Sequence, residues 1–369
     1  MASSKIAEPS AASPVDIPVI DISARDAPNQ LLDAAAKFGF VFVENNEAGI
    51  DARQISHMFD LLTSVKSRDL FQSPTEIKEA CSINCNKSGK NKGWLSMHTE
   101  KLDPATQKRG DFKEAFNIGE YKGDAAQQPL PDPLAPHEKA IGDFVSSCHT
   151  LCNEILRLFA VALEIPPDWF TSRHDRTKGP SGSVIRLLYY PTMAGMEEVE
   201  DGIDIRAGAH SDYGSVTLLF QLPGQPGLEI LTPRGTWASV PVDPSSTQHA
   251  HDALANSNGH GSRTLPILVN IGDLLSYWTN NLLKSTVHRV VFPTDAQKGG
   301  EDRYSMAYFC HPLDDAELVS VPSKLVEEYG AREGTAVRHG KHTLTARDHL
   351  NERLAATYGT KNRPQGIEE

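Results

Sequence analysis

Apolar and polar residues alternate in VDIPVIDI from Val15 to Ile22, which predicts a short strand, and Pro18 suits that strand to a sheet edge. A helix is expected over Gln30–Phe38, where Gly39 is a natural stop, followed by a brief apolar strand at Phe40–Val43. Ala52–Arg68 has helical spacing, with Ile55, Phe59, Leu62 and Val65 on one face. From Cys81 to Gly93 the chain is polar, with Lys, Asn and Gly, and reads as a loop. A long helix is expected from about Pro136 to Leu163, carrying Ile141, Val145, Leu151, Ile155, Leu158 and Val161. The N-terminal half therefore reads as mixed, with helices as its longest elements.

The pattern changes after Gly182. SVIRLLYY, SVTLLFQL, GLEILTP, TWASVPV, LPILVNI, STVHRVVFP and RYSMAYFC are short, rich in β-branched and aromatic residues, and punctuated by Gly, Pro and Asp. Seven such segments in succession predict an antiparallel sandwich or barrel, not a parallel βαβ sheet. No GxGxxG or GxxxxGK[ST] is present, so a nucleotide-binding α/β fold lacks its fingerprint. The polar stretch 244–264 interrupts the run, and its His249, His251 and His260 read as residues of a solvated surface insertion. Leu350, Leu354 and Tyr358 give Thr345–Tyr358 the spacing of a helix packed on the body.

Composition narrows the class. The 369 residues are 39% hydrophobic and 23% charged, which describes a soluble globular chain. No run of about 18 apolar residues is present, so no membrane span is expected. The first 14 residues lack the pattern of a secretory signal and read as a flexible tail. A net charge of −12 disfavours a nucleic-acid partner, whose phosphates require a basic face. Five cysteines (Cys81, Cys85, Cys148, Cys152 and Cys310) without an export signal suit free thiols in the reducing cytoplasm. Cys81 and Cys85 lack the second pair that a structural zinc needs, and Cys148 and Cys152 fall in the long helix as small buried residues.

One constellation carries chemistry. In RAGAHSDYGSVTLLFQ, His210 and Asp212 stand two apart at the expected start of a strand, so alternation sends both to one face, roughly 7 Å apart. His288 in STVHRVVFP supplies a third ligand 76 positions after Asp212. Two histidines and a carboxylate on one side of an ion leave positions open, as in the facial triad of non-haem Fe(II) oxygenases. On its own the H-x-D pair reads more simply as an imidazole oriented by a carboxylate, and His288 as a satisfied core residue.

Further motifs join it. IPVIDIS, FGFVFVENN, GDFKEAFNIGEY, IRLLYYP, AHSDYGSVTLLFQ, LVNIGDLLSYWTN, LKSTVHRVVFP and RYSMAYFCHP occur in the order found in the 2-oxoglutarate- and Fe(II)-dependent dioxygenases of the isopenicillin N synthase-like superfamily. The chain resembles that family over nearly its whole length. It departs at Asn46, where many members have His followed by Gly, and at Leu188, where plant members have Asn. The resemblance implies a double-stranded β-helix (jelly roll) core with flanking helices. The organisation expected is a tail at 1–14, a mixed region at 15–180 packed on the core, the core itself at 181–312, and a C-terminal helical segment at 313–369.

The resemblance also implies cofactors and roles. Fe(II) is expected on His210, Asp212 and His288, with 2-oxoglutarate and O2 as cosubstrates. Arg303 and Ser305, two apart and so on one face, match the R-x-S pair that binds the distal carboxylate of 2-oxoglutarate. Tyr190 matches a tyrosine that contacts the same molecule. Among fungal members, pyrimidine hydroxylases hold substrate with residues matching Asn91, Arg186, Tyr213 and Phe309, and Trp94 falls where a pocket lip is expected. The expected reaction oxidises a C–H bond of a small molecule, most simply by hydroxylation, with release of succinate and CO2. Two other readings stay open at this point: an iron oxidase that uses no 2-oxoglutarate, and a silent jelly-roll binding protein. Substrate identity and oligomeric state stay open too.

Overall fold

A computed structural model of the chain describes residues 14–46, 49–63, 69–84, 91–192, 205–246, 265–292, 301–334 and 343–358. The expected tail up to residue 13, Cys85, the end of the helix at 64–68 and the histidines at 249, 251 and 260 lie outside the described residues.

In chain order the elements are β1 (Val19–Ile20), α1 (Ala27–Phe38), β2 (Phe40–Val43), α2 (Ala52–Thr63), α3 (Asp69–Gln72), α4 (Thr75–Glu79), β3 (Gly93–Leu95) and β4 (Glu114–Ile118). There follow β5 (Tyr121–Lys122), β6 (Ala125–Ala126), α5 (Glu138–Ala162), β7 (Val184–Tyr190), β8 (Ala207–His210), β9 (Val216–Gln221), β10 (Leu228–Leu231) and β11 (Trp237–Ser239). The last are β12 (Ile267–Ile271), α6 (Asp273–Trp278), β13 (His288–Val290), β14 (Arg303–Cys310), α7 (Lys324–Glu333) and α8 (Ala346–Tyr358). The strand expected over Val15–Ile22 keeps only two paired residues, parallel to β2.

An eight-stranded mixed sheet runs β1-β2-β12-β9-β14-β7-β4-β3, and a four-stranded antiparallel sheet runs β11-β10-β13-β8. Strand alternation decides what each face of the large sheet meets. Val41 and Val43, Val216 and Leu218, Ile185 and Leu187, Met306 and Tyr308 join one apolar cluster with α1, α2, α5 and α6. Phe40 and Phe42, Leu188, Leu268 and Ala307 point the other way and pack with Leu228, Ile230, Val290 and Ala207 of the small sheet. One face is thus covered by helices, and the other looks into the space between the sheets.

The helix-side core is dominated by α5, whose Phe144 is fully buried and lies 5.2 Å from the Phe220 ring. Truncating such a residue to Ala costs about 3–5 kcal/mol. Gly39 ends α1 with φ +68, and a Cβ there would sit 2.2 Å from the Lys284 carbonyl, so only glycine permits this crossing. Among the described residues no helix is long and apolar enough to cross a membrane.

Candidate active site

The inner face of the large sheet is polar at one end. Antiparallel register sets Arg303 opposite Tyr190, Ser305 opposite Leu188 and Gln221, and Ala307 opposite Arg186. Asn270 on β12 pairs with Thr217 on β9. All these positions share one face, because each strand places every second side chain inward.

His210 is the last residue of β8 and faces His288, the first of β13, across the small sheet. Asp212 follows in the turn that carries the chain from the small sheet to β9 in the large one. The expectation that His210 and Asp212 share a strand is therefore corrected. They meet because the chain leaves the small sheet at His210 and Asp212 lies in the turn toward the large one, not because a strand alternates. The amides of α6 hold this turn from behind: Asp273 N–H donates to the Asp212 carbonyl at 2.8 Å and Leu274 N–H to that of Gly214 at 3.0 Å.

The three side chains converge. Asp212 Oδ1 lies 3.8 Å from His210 Nε2 and 3.6 Å from His288 Nε2, and the two imidazole centroids are 4.3 Å apart. Each histidine is oriented by its other nitrogen: Nδ1 of His210 donates to the Gly208 carbonyl at 2.7 Å and Nδ1 of His288 to that of Thr286 at 3.1 Å. Both Nε2 lone pairs are thereby left for an ion. Asp212 Oδ2 accepts from Thr217 Oγ1 at 2.6 Å and Asn270 Nδ2 at 2.7 Å, which leaves Oδ1 facing the histidines. Burial and the neighbouring His288 push the His210 imidazole down to about 3, so it is neutral and ready to ligate. Burial alone would raise the Asp212 carboxyl, but His288, His210 and its two donors outweigh it and hold the group below its usual value. This donor set fits a divalent cation with open coordination positions.

Arg303 is 2% exposed, and its partners are all neutral: the Gln225 carbonyl at 3.1 Å, Ser305 Oγ at 3.2 Å and Gln221 Oε1 at 3.1 Å. No carboxylate pairs with it among the described residues. Burial pushes its guanidinium below the ordinary arginine value, and its Cζ stacks 4.9 Å over the Tyr190 ring. A buried cation without a counter-ion is costly unless an anion arrives. Arg303, Ser305 and Tyr190 line the same cavity as His210, Asp212 and His288.

A second chamber adjoins it, with Arg186, His210, Asp212 and Phe309 common to both. Asn91, Tyr213 and Phe309 line it with Arg186, so the four expected substrate residues stand together. Trp94 does not reach it. Its ring lies in the helix-side core under Lys78, and Nε1 donates to Glu114 at 2.7 Å, because β3 turns that residue away from the cavity. Helix α8 contributes Leu350, Leu354, Thr357 and Tyr358, and the Tyr213 hydroxyl is bonded to that of Thr357.

The chain matches two family profiles: the N-terminal region of non-haem dioxygenases in morphine synthesis at residues 17–138, and the 2OG-Fe(II) oxygenase superfamily at 258–312. It is 33% identical over 362 residues to UPF0676 protein C1494.01 of Schizosaccharomyces pombe, covering 95% of this chain and 96% of that one. This chain is a 2-oxoglutarate/Fe(II)-dependent dioxygenase of the fungal type.

The dioxygenase is also 28% identical over 348 residues to the 2-oxoglutarate-dependent dioxygenase htyE of Aspergillus rugulosus, with 89% of this chain and 92% of that one covered. It resembles a full-length Neurospora crassa protein solved with alpha-KG and 5-formyluracil, at a TM-score of 0.68 and 27% identity, covering 92% and 96% of the two chains. Iron(II) is its metal, and 2-oxoglutarate and O2 are its cosubstrates. These relatives place it among enzymes and leave no room for the silent-binder reading.

Several residues of the site escaped the sequence reading. Thr217 and Asn270 lie inside recognised motifs, yet nothing in the spacing marks them as partners of Asp212. Gln221 likewise sits at the end of an apolar strand. Glu100 lies in a segment without periodicity and carries no signal at all.

Proposed function

We propose that His210, Asp212 and His288 hold the iron, and that Arg303, Ser305 and Tyr190 hold 2-oxoglutarate through its distal carboxylate. Asn91, Arg186, Tyr213 and Phe309 line the chamber for a small-molecule substrate. The observation that carries this reading is the buried Arg303, which has no carboxylate partner among the described residues and opens into the cavity of the three ligands. The bound iron supplies a centre at which O2 is reduced at the expense of 2-oxoglutarate and a substrate C–H bond. In the net reaction, 2-oxoglutarate, O2 and R–H give succinate, CO2 and R–OH. The protein's part is to position: Thr217 and Asn270 fix the carboxylate, the Nδ1 bonds fix both imidazoles, and the apolar walls exclude water.

The two facing sheets support a jelly-roll core over 181–312, with the region 15–180 packed against it, the segment 313–369 at its C-terminal side and a tail at 1–14. The same Neurospora crassa protein has been solved with thymine as well as 5-formyluracil. Its 27% identity makes a flat heterocycle the first substrate class to screen. Incubation with labelled 2-oxoglutarate and panels of pyrimidines, amino acids and other small metabolites tests the reading. Substrate-coupled succinate is expected, and Asp212→Ala should abolish it together with stoichiometric Fe(II) binding. Full activity in that variant, or no coupled succinate with any substrate, would sink the assignment.

A further inference from the structure

The two arginines that line the chambers, Arg303 and Arg186, are paired in opposite ways. On the Arg303 side the guanidinium has no carboxylate among the described residues. Arg186, which lines both chambers, and Lys113, which lines the Arg303 chamber, each have one. Glu100, 4% exposed, lies 3.1 Å from Arg186 Nη1 and 3.0 Å from Lys113 Nζ. Lys113 is also in close contact with Asp111, and Arg353, stacked 4.7 Å over the Tyr213 ring, lies 3.6 Å from Asp273. Glu100 further accepts from the Tyr358 hydroxyl of α8 at 2.7 Å.

Resting on the chamber assignment above, we propose that Glu100 is a specificity-determining residue that makes the chamber electrically neutral, so that it selects a small, flat, uncharged substrate with a carbonyl acceptor and rejects its carboxylate counterpart. The Arg186 guanidinium is engaged at Nε by Asn117 at 2.7 Å and at Nη1 by Glu100. A guanidinium has five N–H donors, more than these bonds and the Tyr358 contact take up, while its charge is already met. Such a group hydrogen-bonds a neutral carbonyl well. It gains little from a carboxylate, which would have to leave water and sit beside Glu100. Burial alone would raise the Glu100 carboxyl, yet Arg186 and Lys113 outweigh it and hold the group ionised far below the usual carboxylate range. The rings of Tyr213 and Phe309 favour a flat molecule, and Arg186 Cζ lies 5.5 Å over Phe309.

The test uses full-length protein saturated with 2-oxoglutarate and Fe(II) without oxygen, so that anions cannot occupy the Arg303 site. Calorimetry then compares two near-isosteric pairs, benzamide with benzoate and orotamide with orotate. Wild type should bind the neutral member of at least one pair tenfold or more tightly than its carboxylate. Glu100→Gln leaves the chamber one positive charge in excess and should raise carboxylate affinity by about ten- to a hundredfold. Equal or tighter binding of the carboxylates by wild type overturns the proposal, as does failure of both pairs to bind. No gain in carboxylate affinity in folded Glu100→Gln also overturns it; if that variant does not fold, Glu100→Ala is read in the same way, and the wild-type comparison decides whether the chamber rejects carboxylates. Failure of wild type to take up 2-oxoglutarate would indict the site assignment instead, so the two readings fail separately.

Discussion

Thr217→Val and Asn270→Ala probe whether the carboxylate of Asp212 is held for the metal or merely packed. Thr217→Val keeps the shape of the side chain and removes the donor 2.6 Å from Oδ2, while Asn270→Ala removes the one at 2.7 Å. A hydrogen bond onto a charged acceptor contributes about 1.5–3 kcal/mol, and each 1.4 kcal/mol is a factor of ten in affinity. Each variant should therefore bind Fe(II) roughly ten- to a hundredfold more weakly, the range seen when partners of metal ligands are removed. Both donors restrain the same oxygen, so the double variant should lose less than the sum of the two. The assay is anaerobic Fe(II) titration in competition with a chelator, with thermal unfolding of the metal-free protein alongside. Affinities within twofold of wild type, accompanied by a clear fall in unfolding midpoint, would mean that the pair only satisfies a buried carboxylate, and the reasoning would be refuted.

Arg303→Gln should raise the KM for 2-oxoglutarate by well over tenfold with little change in Fe(II) affinity, and Arg303→Lys should recover only part because it lacks the planar fork; steady-state kinetics and metal titration separate the two effects. A Cβ on Gly272 would lie 2.2 Å from the Gly214 carbonyl and 3.1 Å from that of Asp212. Gly272→Ala should therefore displace the metal turn, costing about 1–3 kcal/mol in chemical denaturation and weakening iron binding. Burial holds the His174 imidazole below its ordinary value of 6.5, with Nδ1 donating to the Phe170 carbonyl at 2.7 Å and Nε2 accepting from Ser215 Oγ at 2.9 Å. Below 6.5 the unfolded chain takes up a proton that the folded one refuses, so stability falls as pH drops below that value. His174→Gln should flatten the acid side of the stability profile of metal-free protein, and an unchanged slope would contradict the assignment.

What the sequence revealed and concealed follows the range of the forces involved. His288, Arg303 and Ser305 sit on strands whose β-branched and aromatic neighbours announce the element, so their facing could be read from alternation. Asp212 could be recognised but its geometry could not, because a change of sheet between residues 210 and 216 is a tertiary event. Strand β4 passed unnoticed because GDFKEAFNI mixes charges with its aromatics, yet Phe116 and Ile118 are fully buried and the strand pairs with β7. Helix α6 hid inside a motif that begins as the strand β12. Glu100 was invisible for a different reason: its importance lies in Arg186, Lys113 and Tyr358, which are distant in sequence.

The bond from Tyr358 to Glu100 joins the far end of α8 to the segment preceding β4, across 258 positions of chain. Both partners line the substrate chamber, whereas the proposed iron ligands stand on β8, β13 and the turn behind α6. Part of the wall, the 91–102 segment and α8, is thus built from stretches of sequence apart from the hearth. Drift or grafting confined to the 91–102 segment and the C-terminal helix can retune what the enzyme accepts, while the oxidising centre is inherited intact. On such a scaffold, the choice of substrate is expected to diversify faster than the chemistry done to it.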